Sequence, residues 1–370
     1  MRRALPALLG CALAVMGSRR LVAQDSQFGV RGLGAPGTFA SVRAWSTGGA
    51  FAAFDGMSSL TDAALSSVTR LTAAATSVDD YRRVNDGTNQ SSLRSSRFPM
   101  LQVAGPVFGN LVVGGGFSTY LYRSYRIEVP GTIVIRGLPE NYVDTFGSDG
   151  AVTDLRLAAA WSFSPRLVVG GGFHILTGSS KLTANRVFSD SSAYLNAAQT
   201  EEESYDGLGV SLSVLATPAP NLRVSGFLRS DNRLRAEVSG FQSAKNDLPT
   251  TFGAGIQWTV TPEVKVAGAL THANWSVSSA SGTAFNTTNW SVGGEFGRSS
   301  LPVRIGVRGG QMPFGPGPTA PTQLGVSAGT GFIFSQGRGI LDFGIEHLRR
   351  TGGGLTENGW ILMAGLTVRP

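Results

Sequence analysis

The chain of 370 residues carries 50 glycines and only 15% charged residues, whereas soluble domains average about 7% glycine and about 25% charge. Its formal charge of +7 is partly an end effect: four of the 31 basic residues (Arg2, Arg3, Arg19, Arg20) precede Gln24 and no acid does, leaving 27 against 24, a net of +3. With that balance, three lysines and no basic cluster interleaved with aromatics, no nucleic-acid partner is expected.

In chain order, residues 1–23 read as a secretory signal: Arg2 and Arg3 form a basic n-region, Ala4 to Gly17 an apolar stretch, and Leu21-Val22-Ala23 a small-residue cleavage site. The only cysteine, Cys11, lies inside it, so the mature chain is expected to hold no disulfide. Leu8-Leu9-Gly10-Cys11 also has the look of a lipoprotein lipobox, but the apolar run continues past it, and an ordinary h-region cysteine is the simpler reading. Beyond the signal no run of about 18 apolar residues exists to make a spanning helix. A chain that enters lipid with all its backbone bonds satisfied is then left with the closed barrel.

Residues 24–66 scatter Phe28, Leu33, Phe39, Trp45, Phe51 and Phe54 among Gly, Ala and Ser without sustained period two. A compact plug inside the lumen is expected for 24–66, with the barrel occupying 67–370. From there the chain repeats one cassette, a short turn feeding an alternating strand: Ser164-Pro165, Ala219-Pro220, Thr261-Pro262 and Leu301-Pro302 each precede one. Period two places strands near 68–79, 98–107, 111–125, 151–163, 166–178, 205–216, 221–230, 250–260, 263–275, 287–297, 302–310, 322–334, 339–348 and 358–368. Six tight turns and both chain ends then share the periplasmic side, and long loops, the largest near 127–149, 180–204 and 231–249, share the exterior. Leu155, Leu157, Trp161 and Phe163 should face lipid, as should Trp360, Leu362, Leu366 and Val368. Trp275, Trp290, Trp360, Tyr120 and Tyr122 fall towards strand ends, where interfacial girdles form. The fold class is therefore all-β, a transmembrane antiparallel barrel of about 14 strands with an N-terminal plug, in the outer membrane of a Gram-negative bacterium.

Chemical motifs are sparse. Gly32-Leu33-Gly34-Ala35-Pro36-Gly37 spells GxGxxG, but it follows no strand and contains a proline, so flexible plug backbone explains it better than dinucleotide binding. His174, His272 and His347 sit on separate strands without metal-ligand spacing. No nucleophile elbow accompanies them, so no metal, no cofactor and no catalytic residue are expected. The expected lumen face carries Asp154, Arg156, Arg223, Glu295, Arg304, Arg308, Asp342 and Glu346. Their ordinary role is pairing within the interior and anchoring the plug, although an arginine fork could also hold a carboxylate head group.

Two segments resemble the FadL/TodX family of outer-membrane transporters for long-chain fatty acids and hydrocarbons. Gly48-Gly49-Ala50-Phe51-Ala52-Ala53-Phe54-Asp55, followed by Asp62-Ala63-Ala64-Leu65, looks like the start of the family's hatch, with Asp62, Ala63 and Ala64 standing where members carry Asn-Pro-Ala. Leu341 to Glu346, Gly352 to Glu357 and Ala364-Gly365-Leu366-Thr367 are similar to its closing hairpin. The chain departs from the pattern in Ala63 for proline and in ending Val368-Arg369-Pro370 rather than in an aromatic. The resemblance implies a fourteen-stranded barrel with a hatch, passive uptake of hydrophobic small molecules, and exit sideways through the wall. Phe28, Phe39, Phe51 and Phe54 are the candidate ligand contacts. Expected partners are outer-membrane lipid and lipopolysaccharide, the barrel-assembly machinery and an apolar ligand, with the chain a monomer. A polar-solute porin and a non-transporting scaffold barrel of the secretion-system kind are the alternatives.

Overall fold

Alternating side chains in the sequence become a wall with two chemical faces. The structure, a computed structural model, describes residues 26–370 apart from 88–89, 191–192, 239–242 and 298–300. The expected signal segment and Cys11 therefore lie outside the described residues.

Fourteen antiparallel strands form the wall: β1 (Thr72–Asn85), β2 (Gln90–Phe108), β3 (Leu111–Tyr122, continuing as Tyr125–Ile135), β4 (Leu138–Ser164), β5 (Leu167–Phe188), β6 (Ala197–Ala219) and β7 (Leu222–Asp231, continuing as Arg233–Val238) in the first half. The second half is β8 (Ala244–Asp247, then Thr250–Thr261), β9 (Val264–Ala273), β10 (Thr287–Phe296), β11 (Val303–Gln311), β12 (Thr322–Phe334), β13 (Gly339–Gly352) and β14 (Leu355–Val368). Each strand pairs with its sequence neighbours, and β14 pairs with β1 from Thr356↔Asn85 to Val368↔Ala73, which closes the ring. Closure of the last strand on the first leaves no terminal sheet edge facing lipid. Among the described residues no helix is long and apolar enough to cross a membrane.

The two faces separate as period two requires. On β4, Leu155, Leu157, Trp161 and Phe163 point outward and are exposed, while Asp154, Arg156, Ala158 and Ala160 point inward and are buried. On β14, Trp360, Leu362, Leu366 and Val368 form the outward row, and Ile361 and Met363 the inward one. The outward row is the apolar band of a transmembrane barrel.

Short connections at Gly109, Pro165, Pro220, Pro262 and Gly337 lie at one end, as expected. The long segments do not form loops over most of their length. The stretches near 127–149 and 180–204 are ladder-paired, β4 with β5 without interruption from Tyr142↔Phe188 to Ser162↔Val168, and 231–249 is largely strand as well. Neighbouring strands continue past the apolar band and supply the missing backbone partners, which a count of polar residues does not register. Beyond the band, Arg186 grips Asp144 with two hydrogen bonds of 2.7 Å and stacks on Tyr142 at 4.0 Å. The guanidinium holds the Asp144 carboxyl below its ordinary range.

The girdle expectation is met in part. Trp290 and Trp360 face outward and are exposed, but Tyr120 and Trp275 are buried on the inner side. A bulge between Thr119 and Leu121 breaks the alternation on β3, and Trp275 opens a 3-10 segment, Trp275–Ser281, that is not strand at all.

Candidate functional site

Residues 26–67 pack against the inward side chains of the wall. Ser41 caps the short helix Val42–Trp45 by accepting from the Ala44 amide at 3.2 Å. Behind the helix Ala50, Phe51, Ala53, Phe54 and Leu65 are buried in a core shared with Val78, Val112, Val168 and Met363 of the strands. The wall has room for this segment because it presents glycine where the two meet. A Cβ at Gly293 or Gly306 would strike Thr47, and one at Gly329 or Gly344 would strike Ser46.

Charge fastens the segment at three places. Arg43 donates twice to Glu295 at 3.0 Å, and Arg304 bridges Glu295 at 2.8 Å and Asp342 at 2.6 Å. The Trp45 indole donates to Glu346 at 2.8 Å, and Arg308 holds the same carboxylate at 2.6 Å. Ser26 Oγ and the Gln27 amide donate to Glu357 at 2.7 and 2.5 Å. Every one of these acids is buried or largely so, and such pairs hold only when both partners stay in place.

The Asp62-Ala63-Ala64 motif opens a 3-10 turn, Asp62–Ser67, seated on β4, β5 and β6. Asp62 accepts from Arg156 Nε at 2.9 Å and from Ser211 Oγ at 2.6 Å, and the Ala63 amide donates to Ser213 Oγ at 2.8 Å. From Ser211 a polar chain continues: His174 Nε2 lies 2.9 Å from its Oγ, His174 Nδ1 lies 2.9 Å from Asp154, Arg229 donates to Asp154 at 2.6 Å and to Asp231 at 2.9 Å, and the Tyr120 hydroxyl donates to Asp231 at 2.9 Å. Ser211, His174 and Asp154 have the spacing of a nucleophilic triad. Ser211, however, donates its proton to Asp62, and neither Ser211 nor His174 lines the aromatic cavity described below. The trio is a fastening for the segment. Among the described residues no group of His, Cys, Asp and Glu could hold a metal.

The polar chain ends at a cavity of about 300 Å³ between the segment and the wall, in the half of the lumen away from the tight turns. Phe39, Tyr120, Phe227, Trp275 and Met312 give it an apolar lining, and Arg229 and Arg350 reach it. Phe39 and Trp275 flank Tyr120 with ring centroids at 6.4 Å, and Phe314 closes on Trp275 at 5.5 Å. Nε and Nη1 of Arg350 and Nη2 of Arg229 make no hydrogen bond among the described residues.

Beside the cavity the wall is split. β2 pairs with β3 only from Met100↔Ser118 to Phe108↔Leu111, although β2 pairs with β1 as far as Asn85↔Gln90. The edge of β3 above the split is taken by the segment: Ala35 and Pro36 pair antiparallel with Tyr122 and Leu121, and the Gly37 amide donates to Tyr120 O at 2.9 Å. This is the GxGxxG sequence, acting as a strap. Gly34 has φ +114° and lies against Tyr122 O, and a Cβ at Gly37 would collide with Thr119 O, so glycine is needed at both.

The lumen charges expected from sequence are all on the inner side, and all but Arg223 join the pairs above; Arg223 stands 5.6 Å over the Phe54 ring and 3.4 Å from Gln257 Oε1. Of the four phenylalanines expected as ligand contacts, only Phe39 lines the cavity. Phe51 and Phe54 are consumed by core packing, and Phe28 packs with Ala35 and Met312. Tyr120, Trp275 and Phe227 carry the lining in their place. Phe227 follows the alternation of β7, whereas a bulge and an inward-turning connection decide which way Tyr120 and Trp275 point.

No protein-family model and no curated protein matches the sequence. Solved structures do match in fold. A Pseudomonas aeruginosa FadL homologue aligns with TM-score 0.62 at 13% identity, covering 91% of this chain and 99% of its own. The Ralstonia pickettii toluene transporter TbuX aligns with TM-score 0.58 at 15% identity over 92% and 99%, and the CymD monoaromatic hydrocarbon channel with TM-score 0.56 at 13% identity over 91% and 98%. The closed barrel of fourteen strands, split beside an apolar cavity, thus has the fold of the FadL- and TodX-type hydrophobic-compound channels.

Proposed function

We propose that this protein is an outer-membrane channel for passive uptake of hydrophobic small molecules, with residues 26–67 as its hatch. The observation that carries the reading is the aromatic cavity lying directly behind the split between β2 and β3. An apolar solute entering from the long-hairpin end would reach Phe39, Tyr120 and Trp275, and release of the strap would open a path from there into the bilayer. Such a route spares the solute the aqueous lumen, where each exposed CH₂ costs about 0.8 kcal/mol. The neighbouring structures named as hydrocarbon channel and toluene transporter support the substrate class.

Long-chain fatty acids are the finer proposal. Arg229 and Arg350 line the cavity, Arg350 beside Glu357 at 3.5 Å, and a guanidinium fork suits a carboxylate head. The test is uptake of radiolabelled oleate and toluene by a deletion strain and its complement. Faster uptake of oleate in the complement, reduced by Arg350→Gln, is the expected result. Toluene uptake alone would keep the channel and remove the fatty acid, and equal uptake of both with and without the protein would end the transport reading.

A further inference from the structure

On the outer surface, where the apolar band ends towards the long hairpins, two adjacent rows of side chains cross β13, β14, β1 and β2. His347, Trp360, Tyr81 and Arg94 are register partners in the lower row, and Arg349, Asn358, Arg83 and Ser92 in the upper. Tyr81, Arg83, Arg94, Arg349 and Trp360 are exposed. Arg94 stacks over Tyr81 at 4.6 Å and approaches Asp79 at 3.9 Å. Arg83 and Arg349 form no ion pair among the described residues. The opposite rim is different: there Arg233 pairs with Asp247 at 2.7 Å and Arg235 with Glu237 at 3.1 Å. Arg83 and Arg349 thus leave positive charge without a carboxylate partner on this sector of the wall.

We propose that this sector binds the phosphorylated headgroup of an acylated glycolipid in the surrounding leaflet. Arg349 and Arg83 stand on strands separated by β14, about 10 Å apart at the usual strand spacing. That separation matches a headgroup bearing two phosphates rather than one, each taken by a guanidinium fork. Asn358 lies between the two arginines in the same row, within reach of the sugar between the phosphates. Trp360 and Tyr81 offer ring faces beneath it. Directly below, Ile345, Leu362 and Leu366 are exposed and apolar, so the ligand there must carry hydrocarbon, which a free phosphate does not. The site lies wholly on the outer wall, so it rests on the outer-membrane placement proposed above and not on what crosses the lumen.

Titration of the purified full-length protein in detergent with bis-phosphorylated lipid A, read by native mass spectrometry, tests the site. Loss of each arginine is expected to weaken binding about 5-fold, so that R83Q/R349Q binds about 25-fold more weakly, while R233Q on the opposite rim binds as the wild type does. Lipid A stripped of both phosphates should bind the wild type as poorly as the intact lipid binds R83Q/R349Q, an arm that needs no variant to fold. Equal binding of the intact and stripped lipids, equal binding by R83Q/R349Q and wild type, or equal weakening by R233Q would overturn the proposal. Displacement of the lipid by millimolar inorganic phosphate would overturn its assignment to a glycolipid.

Discussion

Asp62 shows how one buried carboxylate can hold a segment of more than forty residues. It joins Arg156 of β4 to Ser211 of β6 and, through His174 and Asp154, reaches Arg229 beside the cavity. Asp62→Ala leaves Arg156 buried without its carboxylate, a change that costs about 3–5 kcal/mol. The expected outcome is faster hydrogen exchange across residues 42–67 with the strands unaffected, and partial recovery in Asp62→Ala/Arg156→Met. Unchanged exchange in the single variant would show that the segment is held elsewhere. The lumen-facing positions of Asp154, Arg156, Arg304 and Glu346 were legible in the sequence because alternation alone assigns a strand residue to a face. Their partners were not, since Arg43, Trp45 and Asp62 come from a segment without periodicity.

At the scale of elements, the strap Ala35–Pro36 replaces a wall partner that β2 does not provide. A two-residue pairing is weak beside the full-length ladders around it, which makes this the place where the wall can part. Gly37→Ala sets a methyl against Thr119 O and is expected to displace the strap, raising exchange of the amide at position 37 at least 10-fold over wild type and speeding uptake of an apolar dye into proteoliposomes. Slower uptake with the strap displaced would contradict a gating role. Strand number and the tight turns were readable from the cassette, because proline-marked turns and period two are local properties. The lengths of β4, β5 and β6 were not, since a polar stretch becomes strand only when a neighbour extends with it.

At the scale of the molecule, the barrel inverts the usual arrangement, with hydrocarbon outside and ion pairs within. Leu212 is outward and 63% exposed, while Ser211 and Ser213 beside it are buried. Leu212→Arg is expected to lower the folding free energy in phospholipid vesicles by about 2–4 kcal/mol if it lies at the bilayer midplane, measured by reversible urea titration. A cost near zero would remove β6 from the lipid face.

The sequence by itself determined the architecture: alternation, turn chemistry and the lack of a spanning helix leave a closed barrel of about this size, since no other structure satisfies its backbone in lipid. It also isolated the segment that the barrel does not need. Only the tertiary structure decided where the wall is split, that GxGxxG is the strap across it, and that Tyr120 and Trp275 rather than Phe28, Phe51 and Phe54 line the cavity. Those outcomes depend on contacts between residues as far apart as Pro36 and Leu121 or Asp62 and Ser211. They rest on a bulge and on close backbone approach, neither of which leaves a periodic mark on the chain.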